Sequence, residues 1–234
     1  MKDSSVVGVE MSAIAADRSG RFDVALRKPG KLYQNGGKRL FDLVMAVLTL
    51  PIIAPVVFIL WAFVRADGGP GFYSQTRIGV GGREFRCWKL RTMIMDADTV
   101  LREMCDADPE LAQEWHRNQK LANDPRITKI GRFLRASSLD ELPQIWNILL
   151  GDMSFVGPRP FMDDQDFLYV AAGGRAYYTV RPGITGPWQV FGRGETSFTD
   201  RVKYDTFYCD KLTLKSDLFY IWKTVGVVVR RTGS

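Results

Sequence analysis

The feature that most constrains this chain is an uncharged run of 22 residues from Leu43 to Val64. As a straight α-helix the run would be about 33 Å long, which is enough to cross the hydrocarbon core of a bilayer. Pro51 and Pro55 lie in its middle, and each removes a backbone donor and crowds the preceding turn. The run therefore predicts a long apolar helix that is kinked or broken near these two prolines.

Basic residues stand on both sides of this run: Lys38 and Arg39 precede it, and Arg65 follows it. Basic flanks favour the cytoplasmic side of a membrane, so both ends are expected on the same face. A broken helix over residues 38–66 that enters the membrane and returns satisfies the prolines and the charges together. Two alternatives stay open, namely a single kinked span and a helix buried in a protein core.

The segment before the helix, residues 1–37, has few large apolar side chains and ends in two glycines. This composition predicts a disordered basic arm. The apolar run begins too late for a signal peptide, and no small-residue cleavage site follows it. The net charge of the chain is +6, and residues 1–39 supply 8 basic against 4 acidic side chains, a net +4. Most of the excess therefore lies at the membrane entry, where anionic lipid is the expected partner.

Residues 67–234 are expected to form a small cytosolic domain, so that the chain as a whole is of the α+β class and mostly helical. Two extended segments, 72–78 and 83–90, flank the glycine-rich stretch 79–82. This pattern predicts a short β-hairpin with a glycine turn. The glycines match neither GxGxxG nor GxxxxGK[ST], so a nucleotide-binding loop is the weaker interpretation.

Two helical patterns follow the hairpin. The stretch 96–121 is polar and helix-like, and Asn123-Asp124-Pro125 interrupts it. Beyond the interruption, Ile127, Ile130 and Leu134 share one face at helical spacing. A basic side chain also recurs there every third residue, at Arg126, Lys129, Arg132 and Arg135. The stripe fits either a solvated face or a cradle for an anion.

Cysteine and histidine are scarce, which limits the chemistry available to the chain. Cys87, Cys105 and Cys209 are widely spaced and form no CxxC pair, so neither a zinc site nor a disulfide framework is expected. His116 is the only histidine, and its polar surroundings in the sequence predict a solvated position. A catalytic site in this chain is therefore expected to work without histidine.

Asp140 and Glu141 are the leading candidates for chemistry. Ser138 precedes Glu141 by three residues, which is capping-box spacing, so the acids could simply begin a helix. Adjacent residues on a helix point about 100° apart, so the two carboxylates can divide roles rather than face one target equally. Carboxylates suit a hard cation such as Mg²⁺, and the forks of Arg159 and Arg181 downstream suit phosphate. The combination favours phosphoryl transfer.

An ordered set of short motifs covers most of the chain, from about Lys38 to Arg230. In order the motifs are Lys89-x-Arg91-Thr92-Met93, Asp124-Pro125-Arg126-x-Thr128, Gly131-x-x-Leu134-Arg135, Ser138-Leu139-Asp140-Glu141-Leu142-Pro143-Gln144, Gly157-Pro158-Arg159-Pro160, Arg181-Pro182-Gly183-Ile184-Thr185-Gly186 and Gly192-Arg193. This set resembles the bacterial sugar transferases, the monotopic phosphoglycosyl transferases that begin exopolysaccharide synthesis. The chain is most similar to the short members of rhizobial type, which transfer galactose or glucose phosphate.

The resemblance implies that a UDP-sugar gives its sugar phosphate to a polyprenyl phosphate at the cytoplasmic face of the bacterial inner membrane, and that UMP is released. It implies Asp140 as a covalent nucleophile and Glu141 as a ligand of Mg²⁺. The other polar positions that it implies around the substrates are Lys89, Arg91, Arg135, Arg159, Arg181 and Asp205. The family's membrane helix breaks at a Ser-Pro pair, which Ala54-Pro55 matches without the serine, and Pro51 adds a second break.

The C-terminal stretch 212–231 mixes apolar and basic residues and is too charged to span a membrane. It predicts an amphipathic helix that lies at the membrane interface or closes the soluble core. A membrane-anchored scaffold or regulator of polysaccharide assembly is the alternative function from another class. No motif that reads RNA or DNA occurs, so no nucleic-acid partner is expected.

Overall fold

The computed structural model of the protein describes residues 32–118, 121, 123–192 and 196–229. Residues 1–31, most of the predicted arm, lie outside this part of the chain, and so does the side chain of His116. The last residues assigned to the arm, Tyr33–Gly37, form a π-helical turn. The Tyr33 hydroxyl donates to the Asp217 carboxylate across 2.7 Å, which ties this turn to the C-terminal part of the domain.

Helices predominate in the described residues, as predicted. The α-helices are α1 (Lys38–Arg65), α2 (Ala97–Ala107), α3 (Pro109–Asn118), α4 (Lys129–Ser137), α5 (Gln144–Leu150), α6 (Asp163–Ala171), α7 (Pro187–Phe191), α8 (Arg201–Asp210) and α9 (Leu214–Val229). The strands are β1 (Phe72–Ile78), β2 (Glu84–Leu90), β3 (Ser154–Val156) and β4 (Gly183–Thr185).

The strands form two small two-stranded sheets. β1 and β2 pair antiparallel, from Phe72 opposite Leu90 to Ile78 opposite Glu84, which confirms the predicted hairpin. β3 and β4 pair in parallel, with Val156 opposite Thr185. The second pair brings together two turn-rich segments that lie far apart in the sequence.

Helix α1 continues through both prolines. The break predicted around Pro51, Ala54 and Pro55 is not found, because Lys38–Arg65 is helical throughout. Side chains on both sides of the prolines pack onto the same domain: Ala46 lies in a core cluster with Ile145, and Val64 in another with Leu90. Each proline removes one backbone hydrogen bond of the helix. The packing of α1 on the domain before and after the prolines stabilises the helix where these bonds are missing.

One face of α1 touches the domain along its whole length. Residues at spacings of three and four make these contacts, namely Ala46, Leu50, Ile53, Val57, Leu60 and Val64. The opposite face exposes large apolar side chains at Leu40, Val44, Val47, Leu48, Ile52, Phe58, Ile59 and Phe63. Only 6% of the most apolar 18-residue window is buried, so a core helix is excluded. The helix is long and apolar enough to cross a membrane, judged by length and composition.

Helix α4 begins later than the apolar pattern predicted. Thr128 is its N-cap and accepts from the Gly131 amide, so Ile127 lies outside the helix and forms a β-bridge with Met93. Arg126 also precedes the helix, and its guanidinium is buried against the Asp124 carboxylate at 2.6 Å. The predicted basic stripe is therefore wrong at its first member, because a capped turn interrupts the helical period there.

Helix α9 combines the two alternatives considered for the C-terminal stretch. Asp217 and Tyr220 are buried, and Tyr220 joins a core cluster with Val156 and Tyr208. The other side of the helix exposes Leu218, Phe219, Trp222 and Val225. One face closes the core, and the other is a free apolar surface of the kind that lies at a membrane interface.

Candidate active site

The two acidic residues lie on a tight bend between α4 and α5. Ser138 ends α4 with a left-handed backbone, φ 56°, which non-glycine residues rarely adopt. A 3₁₀ turn, Leu139–Glu141, follows at once. The Ser138 side chain makes no capping hydrogen bond, so the capping-box interpretation of this segment is wrong. The bend presents both carboxyl groups beside the inner face of the β-hairpin.

Lys89 on β2 joins the two acids. It lies on the same face of the strand as the buried residues Phe85 and Cys87, so its side chain points inward. Its Nζ lies 2.8 Å from Oε1 of Glu141 and 3.7 Å from Oδ2 of Asp140. A single cation therefore contacts both members of the pair.

Arg159 also contacts Glu141, with Nη2 at 2.9 Å from the same Oε1. Its position depends on a close backbone packing between β3 and β4. A Cβ on Gly183 would lie 2.1 Å from the Gly157 nitrogen, a contact that backbone atoms cannot relieve by rotation. Glycine at this position thus lets the two motifs, Gly157-Pro158-Arg159-Pro160 and that around Gly183, lie side by side.

The pKa values of the two acids shift in opposite directions. Burial raises the pKa of Asp140, with the nearby charge of Lys89 opposing this effect. Burial also raises the pKa of Glu141, but the charges of Arg159 and Lys89 and their hydrogen bonds outweigh it, so its pKa lies well below its usual range. Glu141 is therefore a permanent anion, whereas Asp140 is the more basic carboxylate. Two titratable groups separated in this way typically serve different roles.

Arg135, in the last turn of α4, completes the set around Asp140. Its Nε donates to the Thr92 hydroxyl at 2.9 Å, and its charge lowers the pKa of Asp140. Burial lowers the pKa of Arg135 itself. The packing of α4 onto the end of β2 places this arginine, since a Cβ on Gly131 would lie 2.0 Å from the Thr92 carbonyl oxygen.

Two cavities lie near the bend; Glu141 lines the first of them, and Asp140 lines neither. The first has a volume of about 260 Å³ and includes Ser138, Glu141, Arg159 and Gln189 in its lining. The second is an apolar groove of about 530 Å³ between α1, the hairpin and the start of α5. Residues from each side of the groove are Val57, Trp61, Phe72, Trp88, Pro143 and Trp146. The first cavity, called the charged cavity because Glu141 and Arg159 line it, shares Ile53 and Ile145 with the apolar groove, so the two are adjacent.

Comparison with known proteins decides the family. A model described as "Bacterial sugar transferase" matches residues 33–231 of this chain. The chain belongs to the bacterial sugar transferase family. The membership agrees with the resemblance inferred from the motifs, and it places the protein among transferase enzymes.

Curated relatives carry more specific names. The undecaprenyl-phosphate galactose phosphotransferase of Salmonella typhimurium is 45% identical over 197 residues, which cover 84% of this transferase and 41% of the relative. The exopolysaccharide production protein ExoY of Sinorhizobium fredii is 42% identical over 211 residues, which cover 89% of this chain and 93% of the relative. The UDP-glucose:undecaprenyl-phosphate glucose-1-phosphate transferase of Escherichia coli is 37% identical over 197 residues, covering 80% and 39%. The transferase therefore spans less than half of the first and third relatives and nearly all of ExoY.

Not every residue predicted for the transferase site meets the acid pair. Arg91 holds the end of α1 instead: its Nε donates to the Pro70 carbonyl at 2.6 Å and its Nη2 to the Val64 carbonyl at 3.1 Å. It also pairs with Asp67. The guanidinium is buried among these partners. A contact of Arg91 with phosphate stays a prediction. In this structure its hydrogen bonds fix the C-terminal end of α1 to the domain.

Arg181 likewise lies away from the acids. Its Nε donates to the Gly151 carbonyl at 2.6 Å, at the far end of α5 from Glu141. Its contact with the substrate phosphates stays a prediction.

Asp205 lies behind the site of the transferase rather than in it. It is 1% exposed, and its carboxylate lies beside the buried Tyr169 hydroxyl. Burial raises the pKa of Asp205 to about 6, against the opposing charge of Arg201. Its link to the acids is therefore indirect, through Arg201 one helical turn earlier on α8.

Sequence reasoning missed two arginines that support Arg159. Arg201 is buried, donates to the Arg159 carbonyl, and has its guanidinium 5.0 Å from the centre of the Trp188 ring. Arg77 on β1 approaches the Pro160 carbonyl with Nη1 at 3.5 Å. The spacing of Arg201 and Asp205, four residues apart on one helix, was the available signal for the first. Arg77 carries no comparable signal.

The residues of the site fit a magnesium ion only in a restricted way. The described residues contain no group of three or more Asp, Glu, His or Cys side chains that could hold a metal. Mg²⁺ often uses one or two carboxylates and completes its shell with water and substrate phosphates. Glu141 uses Oε1 for both Lys89 and Arg159, which leaves Oε2 for such an ion. The donor set therefore fits Mg²⁺ held chiefly by the phosphate oxygens of a substrate.

Proposed function

We propose that this transferase moves a sugar-1-phosphate from a UDP-sugar to a polyprenyl phosphate, forming a polyprenyl-diphospho-sugar and releasing UMP. The observation that carries the proposal is the acid pair itself. Asp140 is the more basic of the two carboxylates, and Glu141 stays ionised. The cations near them are Lys89, Arg135 and Arg159. Such a set of acids and arginines suits the movement of a phosphoryl group. The names of the relatives, which include exopolysaccharide production and undecaprenyl phosphate, support the same chemistry.

In the first step, we infer that a carboxylate oxygen of Asp140 attacks the phosphorus that carries the sugar. A bond forms between Asp140 and this phosphorus, while the bond to the bridging oxygen of the diphosphate breaks. The electron pair of the broken bond stays on the bridging oxygen, and UMP leaves. Burial raises the basicity of Asp140, which strengthens it as a nucleophile, and Lys89 at 3.7 Å keeps its ionised form accessible.

In the second step, an oxygen of the polyprenyl phosphate attacks the same phosphorus and Asp140 leaves as a carboxylate. Both partners of a direct transfer would be anions that repel each other. The covalent intermediate lets each anion approach separately, so the cations are used twice. Arg159, which contacts Glu141, and Arg135, whose charge acts on Asp140, are the groups proposed to hold the phosphate oxygens in both steps.

Glu141 has a supporting role in this proposal. Its Oε1 fixes Lys89 and Arg159 in place, at 2.8 Å and 2.9 Å, and Oε2 is the protein ligand proposed for Mg²⁺. When bound, the ion neutralises charge on the diphosphate of the donor. Because Glu141 stays ionised, the positions of its two cations do not depend on pH in the neutral range.

The membrane helix supports the choice of a lipid acceptor. Both ends of α1 are tied to the same domain, at one end by Arg39 on the Ile148 carbonyl at 2.5 Å and at the other by Arg91 on the Val64 carbonyl at 3.1 Å. A helix held along its length cannot cross a bilayer while the domain stays in water. We propose that α1 enters the cytoplasmic leaflet of the bacterial inner membrane and does not cross it, held there also by anionic lipid.

The apolar groove gives the acceptor a path to the acids in this arrangement. It runs from Val57 and Trp61 on α1 to Pro143, two residues after Glu141. A polyprenyl chain in this groove would bring its phosphate from the leaflet to the charged cavity. The phosphate head and the apolar chain would then meet surfaces of matching chemistry.

One experiment tests the proposal directly. The purified full chain is incubated with Mg²⁺, undecaprenyl phosphate and a panel of UDP-sugars, and the release of UMP is measured. We expect release with one or a few sugars, dependent on the lipid phosphate. UMP release with none of the panel, together with normal membrane binding, would favour the alternative of a non-enzymatic scaffold.

A further inference from the structure

A separate polar cavity opens at the other end of α5. It has a volume of about 740 Å³ and is lined by the start of α1, the hairpin turn, β3 and the segment before β4. It shares no lining residue with the two cavities beside the acid pair. Since α5 has seven residues, the cavity lies about 10 Å from the acids along the helix axis.

Positive charge dominates the lining of this cavity. Four cations face one acid, and they are Lys38, Arg39, Arg83 and Arg181, with Asp42 as the acid. Lys38 is neutralised, because its Nζ lies 3.3 Å from Asp42 and 2.9 Å from the buried Asp217. None of the three arginines forms an ion pair with a residue in the described ranges. Among the described residues, the lining of the cavity therefore carries more positive than negative charge.

Capping of α5 explains only part of this arrangement. Arg39 uses both terminal nitrogens on the carbonyls of Ile148 and Leu149, at 2.5 Å and 3.0 Å, which is a common role for a cation at a helix C-terminus. Arg181 uses only Nε, on the Gly151 carbonyl. Its two terminal nitrogens, and the whole guanidinium of the exposed Arg83, bond to no described residue.

The two inner arginines also lie close enough to affect each other. Burial lowers the pKa of Arg39 and the charge of Arg181 lowers it further, while the charges of Asp42 and Asp152 act in the opposite direction. Like charges held together in this way are relieved by an anion between them. Guanidinium forks bind the paired oxygens of phosphate groups with matching geometry.

We propose that this basic cavity is a second binding site, for a phosphate-type anion held by Arg181 and Arg83 with Arg39 behind them. Two sources share this chemistry, namely the headgroup of an anionic phospholipid and a free phosphate or nucleoside monophosphate. Arg39 lines the cavity, and the next residue, Leu40, is the first on the exposed apolar face of α1. Phospholipid headgroups occur at this level, so the lipid is the favoured source.

The test measures binding by the purified full chain rather than turnover. Short-chain phosphatidylglycerol, phosphatidylcholine, inorganic phosphate and UMP are titrated in turn, and bound probe is counted by native mass spectrometry. The variants are Arg83→Gln and Arg181→Gln. The control is Arg86→Gln, which removes an exposed arginine of the same hairpin outside the cavity. We expect saturable binding of phosphatidylglycerol, about tenfold weaker in both cavity variants and unchanged in the control.

Each outcome decides the proposal. If phosphate and UMP compete with phosphatidylglycerol and weaken in the same variants, the site exists and its source is a free anion. If no probe saturates, or if both cavity variants bind like Arg86→Gln, the proposal is wrong. Arg181→Gln removes a bond to Gly151, so Arg83→Gln alone carries the test if that variant does not fold. The result is independent of the role of Asp140, because no turnover is measured.

Discussion

Asp140 and Glu141 are neighbours in the chain, yet the structure gives their carboxyl groups opposite electrostatic environments. Burial is the main cause of the raised pKa of Asp140. Burial acts on Glu141 in the same direction, but the charges of Arg159 and Lys89 outweigh it and lower the pKa of Glu141. The difference arises from contact distance, since Lys89 lies 2.8 Å from Glu141 but 3.7 Å from Asp140. One acid is thereby made reactive and the other is made a fixed counter-ion.

Substitution of Asp140, the proposed nucleophile, should abolish most of the UMP release. Asp140→Asn removes the oxygen that would form the acyl-phosphate, so UMP release should fall at least about 10³-fold. Binding to membranes should be unchanged, because α1 is untouched. Asp106→Asn, which changes an exposed acid on α2, is the matched control and should keep normal turnover. Normal UMP release by Asp140→Asn would show that the nucleophile is another group.

The same substitution should stabilise the folded protein at neutral pH. The folded pKa of Asp140 is raised above its unfolded value, so the ionised form costs stability above the folded pKa. Asparagine removes this cost. The melting temperature of Asp140→Asn should therefore exceed that of the parent at pH 7, and the gain should vanish below about pH 4, where the parent is protonated in both states. A lower melting temperature at pH 7 would contradict the dominance of burial.

Removal of Arg159 should affect turnover and its pH dependence together. In Arg159→Gln, Asp140 loses a charge that lowers its pKa, so the pKa of the proposed nucleophile rises and the acid limb of the pH–rate profile moves to higher pH. Turnover should fall about 10²–10³-fold, as for other single donors to a charged transition state. Arg132→Gln, an exposed arginine on α4, serves as the control. A loss of rate without any movement of the acid limb would show that the charge of Arg159 does not act on the titration of Asp140.

The close approach of β3 and β4 predicts a strong cost for one added methyl group. In Gly183→Ala the new Cβ would meet the backbone of Gly157 at 2.1 Å, so the two strands must separate. We expect a loss of about 1–3 kcal/mol in the free energy of unfolding, measured by denaturant titration. Gly226→Ala on α9 is the matched control, since no atom lies within 4 Å of its Cβ. Equal effects of both substitutions would argue against this packing.

The exposed face of α1 predicts how the protein holds the membrane. Ile52 is 71% exposed on this face, and lysine there would place a charge among lipid chains at a cost of about 2.5–3.5 kcal/mol. Ile52→Lys should shift the protein from membranes to the soluble fraction while its melting temperature stays near that of the parent. Ile52→Met is the control and should remain bound. Full membrane retention of Ile52→Lys would show that this face does not meet lipid.

Local features were readable from the chain alone. The charge-free run specified α1, and the two extended segments around a glycine turn specified the hairpin. The ordered motifs specified the family, and the adjacent acids within them gave the proposed catalytic pair. These signals are short-range, because periodicity and turn chemistry act within a few residues. The start of α4 shows their limit: Ile127 has helical spacing, yet Thr128 caps the helix after it.

What only the tertiary structure decided is which charges meet. The contact of Lys89 with Glu141 joins residues 52 apart, and that of Arg201 with the Arg159 carbonyl joins residues 42 apart. The same folding carries Arg91 to the end of α1 and Arg181 to the far end of α5. The sequence supplies the identity of each charged group, but a pKa and a binding role depend on burial and on distances of a few ångströms. These quantities exist only once α1, the hairpin and the two parallel strands have packed together.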